Sequence, residues 1–110
     1  MNLKEQHCTD RVDKALDTTQ AKNLCAQLEN NWHLDPDTKS IEFDFQFRNF
    51  HETMAFVNAV AWIAHRENHH PDLEVGYKHC QVRYSTHSVG GLSMNDFICA
   101  AHIDDLLPRK

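Results

Sequence analysis

Ile41-Glu42-Phe43-Asp44-Phe45-Gln46-Phe47-Arg48 alternates apolar and polar side chains without a break. Successive side chains of a strand point to opposite faces, so the run predicts a strand with Ile41, Phe43, Phe45 and Phe47 on a covered face. A one-residue slip would turn every phenylalanine to water, which specifies the register strongly. A strand with one wet face belongs in an antiparallel sheet whose other face is covered.

Upstream, Trp32-His33-Leu34 before the Asp35-Pro36-Asp37 turn predicts a short strand. Asp17 and Gln20 stand at capping-box spacing, and Ala21, Leu24, Cys25 and Leu28 follow at helical spacing, ending near Asn30–Asn31. Downstream, Asn49 caps a second helix, with Glu52 three residues on. Phe50, Met54, Val57, Ala61 and Ala64 form its apolar stripe, widened by Val60, and Phe56, Trp62 and Ile63 fall outside it. That extra apolar surface points to a second partner, an oligomer interface being one candidate. Pro71 is expected to stop this helix and to hold His70 extended. Leu73–Tyr77 and Cys80–Thr86 read as two strands joined around Gly76–His79. After Gly90-Gly91, Ser93 caps a third helix with Asp96 three residues on, and Phe97, Ile98, Ala101 and Leu106 give it an apolar face. The order α-β-β-α-β-β-α predicts an α+β fold, a four-stranded antiparallel sheet with three helices packed on one face. The length fits a single domain over 1–110, with residues 1–16 expected to be a loose leader.

A net charge of −5 argues against nucleic acid as a general partner, because phosphate binding needs a basic face. No apolar run approaches the roughly 20 residues that a membrane span requires. Met1 to Asp13 lacks the apolar centre of a signal peptide, so a cytoplasmic location is expected. Cys8, Cys25, Cys80 and Cys99 are isolated, without CxxC spacing, and read as buried or inert thiols. Nine histidines are the compositional oddity, and five of them fall between His65 and His87.

That cluster admits three readings. Its members are ordinary surface histidines, metal ligands, or acid–base catalysts. His65 and His69 have the i,i+4 spacing of a shared helix face, but Arg66 stands where a zinc-protease helix needs glutamate, and no cysteine pair adds ligands. The expectation is therefore no metal. Acid–base chemistry has local support. His69 and His70 follow the negative, C-terminal end of one helix, and Asp96 lies in the positive first turn of the next. Such opposed fields suit proton donors set beside a fixed carboxylate. Asp96 also has the plainer role of capping its own helix.

The run Glu67-Asn68-His69-His70-Pro71-Asp72, then Tyr77, Ser85-Thr86-His87, Gly91-Leu92-Ser93 and Asp96, resembles the pterin-4a-carbinolamine dehydratase family. The resemblance extends over roughly Asp17 to Leu107. It implies a four-stranded antiparallel sheet with three helices on one side. It also implies a lyase that removes water from 4a-hydroxytetrahydrobiopterin to give the quinonoid dihydropterin. That reaction recycles the tetrahydropterin cofactor of aromatic amino acid hydroxylases and needs neither metal nor organic cofactor. The family's catalytic histidines fall on His69, His70 and His87, and its helix-start aspartate on Asp96. Many members carry glutamate four residues before the histidine pair, where this chain has His65. Either a supporting carboxylate is missing, or Glu67 supplies it.

Two other functions compete. Vertebrate members also act as dimerisation cofactors of a transcription factor, a protein-binding role. A pterin-binding role in molybdopterin metabolism keeps the fold but changes the pathway. The resemblance also implies a homodimer or homotetramer.

Overall fold

The computed structural model describes residues 2–37 and 39–107. The Asp17 carboxylate accepts from the Gln20 N–H at 2.8 Å, and the Gln20 side chain accepts from the Asp17 N–H at 3.1 Å. This capping box opens helix α1 (Thr18–Cys25). Strand β1 (His33–Leu34) then leads to β2 (Ile41–Gln46). The Asn49 side chain accepts from the Glu52 N–H at 2.8 Å and starts helix α2 (Phe50–Glu67). Strands β3 (Asp72–Val75) and β4 (His79–Tyr84) follow, with Gly76 N–H donating to the His79 carbonyl across their turn. Helix α3 (Met94–Asp104) closes the order. The α+β architecture is the expected one: a four-stranded antiparallel sheet, ordered β1-β2-β4-β3, with the helices on one face.

The strand register shows why the helices take one side. Ile41, Phe43 and Phe45 sit opposite Tyr84, Val82 and Cys80, so the apolar residues of β2 and β4 share a face. Phe45 is buried there, its ring 4.7 Å from both Phe43 and Phe56 and 5.8 Å from Trp32. Phe43 and Phe47 are partly buried against the same core. The opposite face is polar. Glu42 accepts from Gln81 and Arg83, and Asp44 pairs with His79 and Gln46.

Three expectations need correction. The face of α2 that enters the core is Thr53, Phe56, Val60, Ile63, Ala64 and Glu67, so of the expected stripe Val60 and Ala64 are buried, Met54 and Val57 half-buried, and Phe50 and Ala61 exposed. Phe56 and Ile63 are thus core residues, and only Trp62 of the supposed extra surface is exposed. Second, α2 ends before Pro71 acts. Asn68 takes the left-handed conformation at φ 53°, which asparagine tolerates, and its N–H and that of His69 close on the Ala64 carbonyl. Third, the first residues are not a loose leader. Leu3 is buried in a short 3₁₀ turn (Leu3–Glu5), and the arm after it is bonded to α2 and α3. The apolar content of this segment was too sparse to announce a packed element.

Candidate active site

The left-handed turn at Asn68 swings the chain off the end of α2 and over the start of α3. There His69 Nε2 meets Asp96 Oδ1 at 2.6 Å. Asp96 is fully buried, and its second oxygen, Oδ2, accepts from the Thr86 hydroxyl at 2.8 Å and the Ser93 N–H at 2.9 Å. Thr86 and Ser93 are joined by their own hydroxyls at 2.8 Å. Three chain segments therefore converge on one carboxylate: the turn after α2, the end of β4 and the start of α3. A carboxylate held this way takes the Nε2–H of His69 and leaves Nδ1 as the ring nitrogen not engaged by Asp96.

Of the four expected residues, the structure joins His69 and Asp96 directly, while His70 and His87 touch the node only through their chain neighbours. His69 is on it directly. His70 is its exposed neighbour, and His87 directly follows Thr86, exposed at the start of a 3₁₀ turn (His87–Val89). Asp96 both reaches back to cap α3 and holds His69, so its two roles are one geometry. The sequence carries no sign of Tyr84 at this site, and it shows Thr86 only as part of the Ser85-Thr86-His87 run, without its bond to Asp96. The Tyr84 ring lies under His69, centroids 5.3 Å apart and nearly parallel at 15°. Its hydroxyl is buried with no hydrogen-bond partner among the described residues. Burial pushes the Tyr84 phenol well above its ordinary range, the Cys99 thiol adding to the effect.

His65 and His69 do not act as a pair. His65 stays on the exposed side of α2 against Trp62, 5.9 Å between rings, while His69 turns to Asp96. Glu67 does not replace the family glutamate at position 65 either. Its buried carboxylate accepts from the Cys8 N–H at 2.8 Å and from Arg66 at 3.0 Å, and pairs with His7 at 2.8 Å. Burial raises its pKa, but these hydrogen bonds outweigh that and hold it at about 2. His102 completes a His7–Glu67–His102 group whose candidate ligand atoms lie within 4.8 Å of one another, with the Arg66 guanidinium already at Glu67 and His102.

The fold has close counterparts. A crystal structure of a "transcriptional coactivator/pterin dehydratase" from Brucella melitensis superposes with a TM-score of 0.79 at 22% identity, covering 84% of this chain and 98% of that one. A "pterin dehydratase-like protein", described as a RuBisCO assembly factor of the alpha-carboxysome, superposes with a TM-score of 0.62 at 20% identity, covering 71% and 90%. These define a pterin dehydratase fold. Residues 14–106 match the family described as "Pterin 4 alpha carbinolamine dehydratase". A Legionella pneumophila (strain Corby) protein named "Putative pterin-4-alpha-carbinolamine dehydratase" is 54% identical over 108 residues, 96% of each chain. A Nitrosomonas eutropha relative of the same name is 57% identical over 88 residues, 80% of this chain and 76% of that one. The chain belongs to the pterin-4a-carbinolamine dehydratase family. No helix among the described residues is long and apolar enough to cross a membrane.

Proposed function

We propose that the chain dehydrates a 4a-hydroxytetrahydropterin to the quinonoid dihydropterin by histidine acid–base catalysis. The observation that carries this reading is the buried Asp96 carboxylate, fixed by Thr86 and Ser93 and bonded to His69 at 2.6 Å. Expelling the 4a-hydroxyl as water requires a proton on the leaving oxygen and removal of one from N5. The lone pair of N5 then supplies the electrons that break the C–O bond. His69, oriented through Nε2, presents Nδ1 for proton transfer, and His70 and His87 stand one residue from His69 and Thr86. Between them the three imidazoles supply donor and acceptor, each step of such transfer being worth roughly 10²–10⁴-fold. Recycling of tetrahydrobiopterin beside an aromatic amino acid hydroxylase is the pathway this chemistry serves.

The test is the rate of carbinolamine loss above its spontaneous background. His69→Ala and His70→Ala should each lower it by at least about 10²-fold with the fold intact, and His87→Ala should lower it less. His79→Ala is the control. That residue pairs with Asp44 on the polar sheet face, an exposed contact of little energetic weight, so its rate should match wild type. Unchanged rates in His69→Ala and His70→Ala would leave a pterin- or partner-binding protein as the better reading.

A further inference from the structure

Cys8 and Cys99 are 91 positions apart in sequence, yet their sulfurs lie 3.4 Å from each other. Cys99 is fully buried on α3, three residues after Asp96, and Cys8 is half-buried on the N-terminal arm. The arm is held on both sides of this contact. Cys8 N–H donates to Glu67 at 2.8 Å, Thr9 N–H donates to the Asn95 side-chain oxygen at 3.0 Å, and the Asn95 amide returns to the Thr9 carbonyl at 2.8 Å. Behind Cys99 lies Tyr84, whose ring supports His69.

We propose that Cys8 and Cys99 are an oxidative modification site, forming a reversible disulfide that staples the N-terminal arm to α3 behind His69 and Asp96. A disulfide needs its sulfurs at about 2.05 Å, so they must close by about 1.4 Å. The movement falls to Cys8, which sits outside regular secondary structure and is partly exposed, whereas Cys99 is packed in a helix. The other two thiols are committed elsewhere. Cys25 donates to the Trp32 carbonyl at 3.2 Å, and Cys80 is buried within β4.

The oxidant class is a hydroperoxide, hydrogen peroxide being the simplest. The Cys8 sulfur attacks one peroxide oxygen, the O–O bond breaks, and sulfenic acid and one water form. The Cys99 sulfur then displaces hydroxide from that sulfenic sulfur, and the hydroxide leaves as water with the Cys99 proton. Two thiols lose two electrons and two protons, and peroxide becomes two waters. The hydrogen bond to Cys99, then burial, with the Glu67 and Asp96 carboxylates adding, push the Cys8 thiol well above its ordinary range. The pair is therefore a slow reactant, one that records sustained oxidation rather than brief pulses.

The full chain should be exposed to hydrogen peroxide, quenched, denatured, and its free thiols counted and its peptides mapped. Of the four thiols, two should be lost together as a Cys8–Cys99 cross-linked peptide, and a thiol reductant should restore them. Cys8→Ser, a change at a partly exposed position, should keep its remaining thiols under the same exposure. The oxidised wild type should also melt at a higher temperature than the reduced form. Four retained thiols, a cross-link through Cys25 or Cys80, or conversion to sulfinic or sulfonic acid without a cross-link would each overturn the assignment.

Discussion

Asp96→Asn exchanges one carboxylate oxygen for an NH₂ group and removes the charge at the centre of the candidate site. The asparagine oxygen can keep the Thr86 and Ser93 bonds at the Oδ2 position, which leaves its NH₂ facing His69 Nε2. That nitrogen must then accept rather than donate, which forces the opposite tautomer of His69. Dehydration should fall by about 10²-fold while the protein unfolds at nearly the wild-type denaturant concentration. Asp96→Ala is expected to differ, because it strands the buried Ser93 N–H at about 1–3 kcal/mol, while the Thr86 hydroxyl keeps the Ser93 hydroxyl as a partner. Equal damage to rate and stability in both variants would reduce Asp96 to a helix cap. At this scale Asp96 was legible as a cap, because its partner Ser93 is three residues away. Its bond to His69 spans 27 residues and depends on how α2 ends, and no local spacing encodes that. Thr86 was hidden for the same reason: its hydroxyl matters only once β4 and α3 meet.

Helix α2 shows where pattern reading fails. Its core face carries Thr53 near one end and Glu67 at the other, so the polar ends disguised it, and a flanking apolar stripe looked more continuous. Thr53 is tolerated inside because its hydroxyl bonds the Asn49 and Tyr77 carbonyls, both at 3.0 Å. The alternation of β2 carried no such disguise and was read correctly. Core truncations follow from the corrected face. Phe45→Ala should cost about 3–5 kcal/mol and Ile63→Ala about 2–5 kcal/mol by urea unfolding. An Ile63→Ala protein as stable as wild type would restore the original stripe. Glu67 adds a pH dependence. Its carboxyl is held at about 2 against an ordinary 4.5, so its contribution is fully present above about pH 4.5 and is lost as pH falls toward 2. Glu67→Gln should therefore flatten the acid side of the stability–pH curve between those values. An unchanged acid slope would mean that the contacts with His7, Cys8 and Arg66 do not discriminate the charged form.

Across the whole molecule, the helix-covered sheet leaves one edge unfinished. Strand β3 is last in the sheet order, and Leu73 and Val75, which share the apolar face with Val82 and Cys80, remain exposed. Phe50 and Tyr77 stack in the open nearby, ring centroids 5.9 Å apart, and Trp62 is 64% exposed on α2. Sequence reading drew surplus apolar surface from Phe56, Trp62 and Ile63, of which the core consumes Phe56 and Ile63 and Trp62 stays exposed. An open edge strand and exposed aromatic side chains are features that a monomer ordinarily blunts. The chain is therefore expected to self-associate as a dimer or tetramer at micromolar concentration. Sedimentation velocity should show a multiple of 12.8 kDa rather than the single chain. Val75→Lys probes the sheet edge and Trp62→Lys the outer face of α2, and whichever surface is used should shift the distribution toward the single chain when charged. Because Trp62 and Val75 are solvent-exposed in the chain itself, neither change should lower its intrinsic stability by more than about 0.5 kcal/mol. A wild-type protein that sediments only at 12.8 kDa would show that these surfaces meet water, or a different partner, and not a second copy.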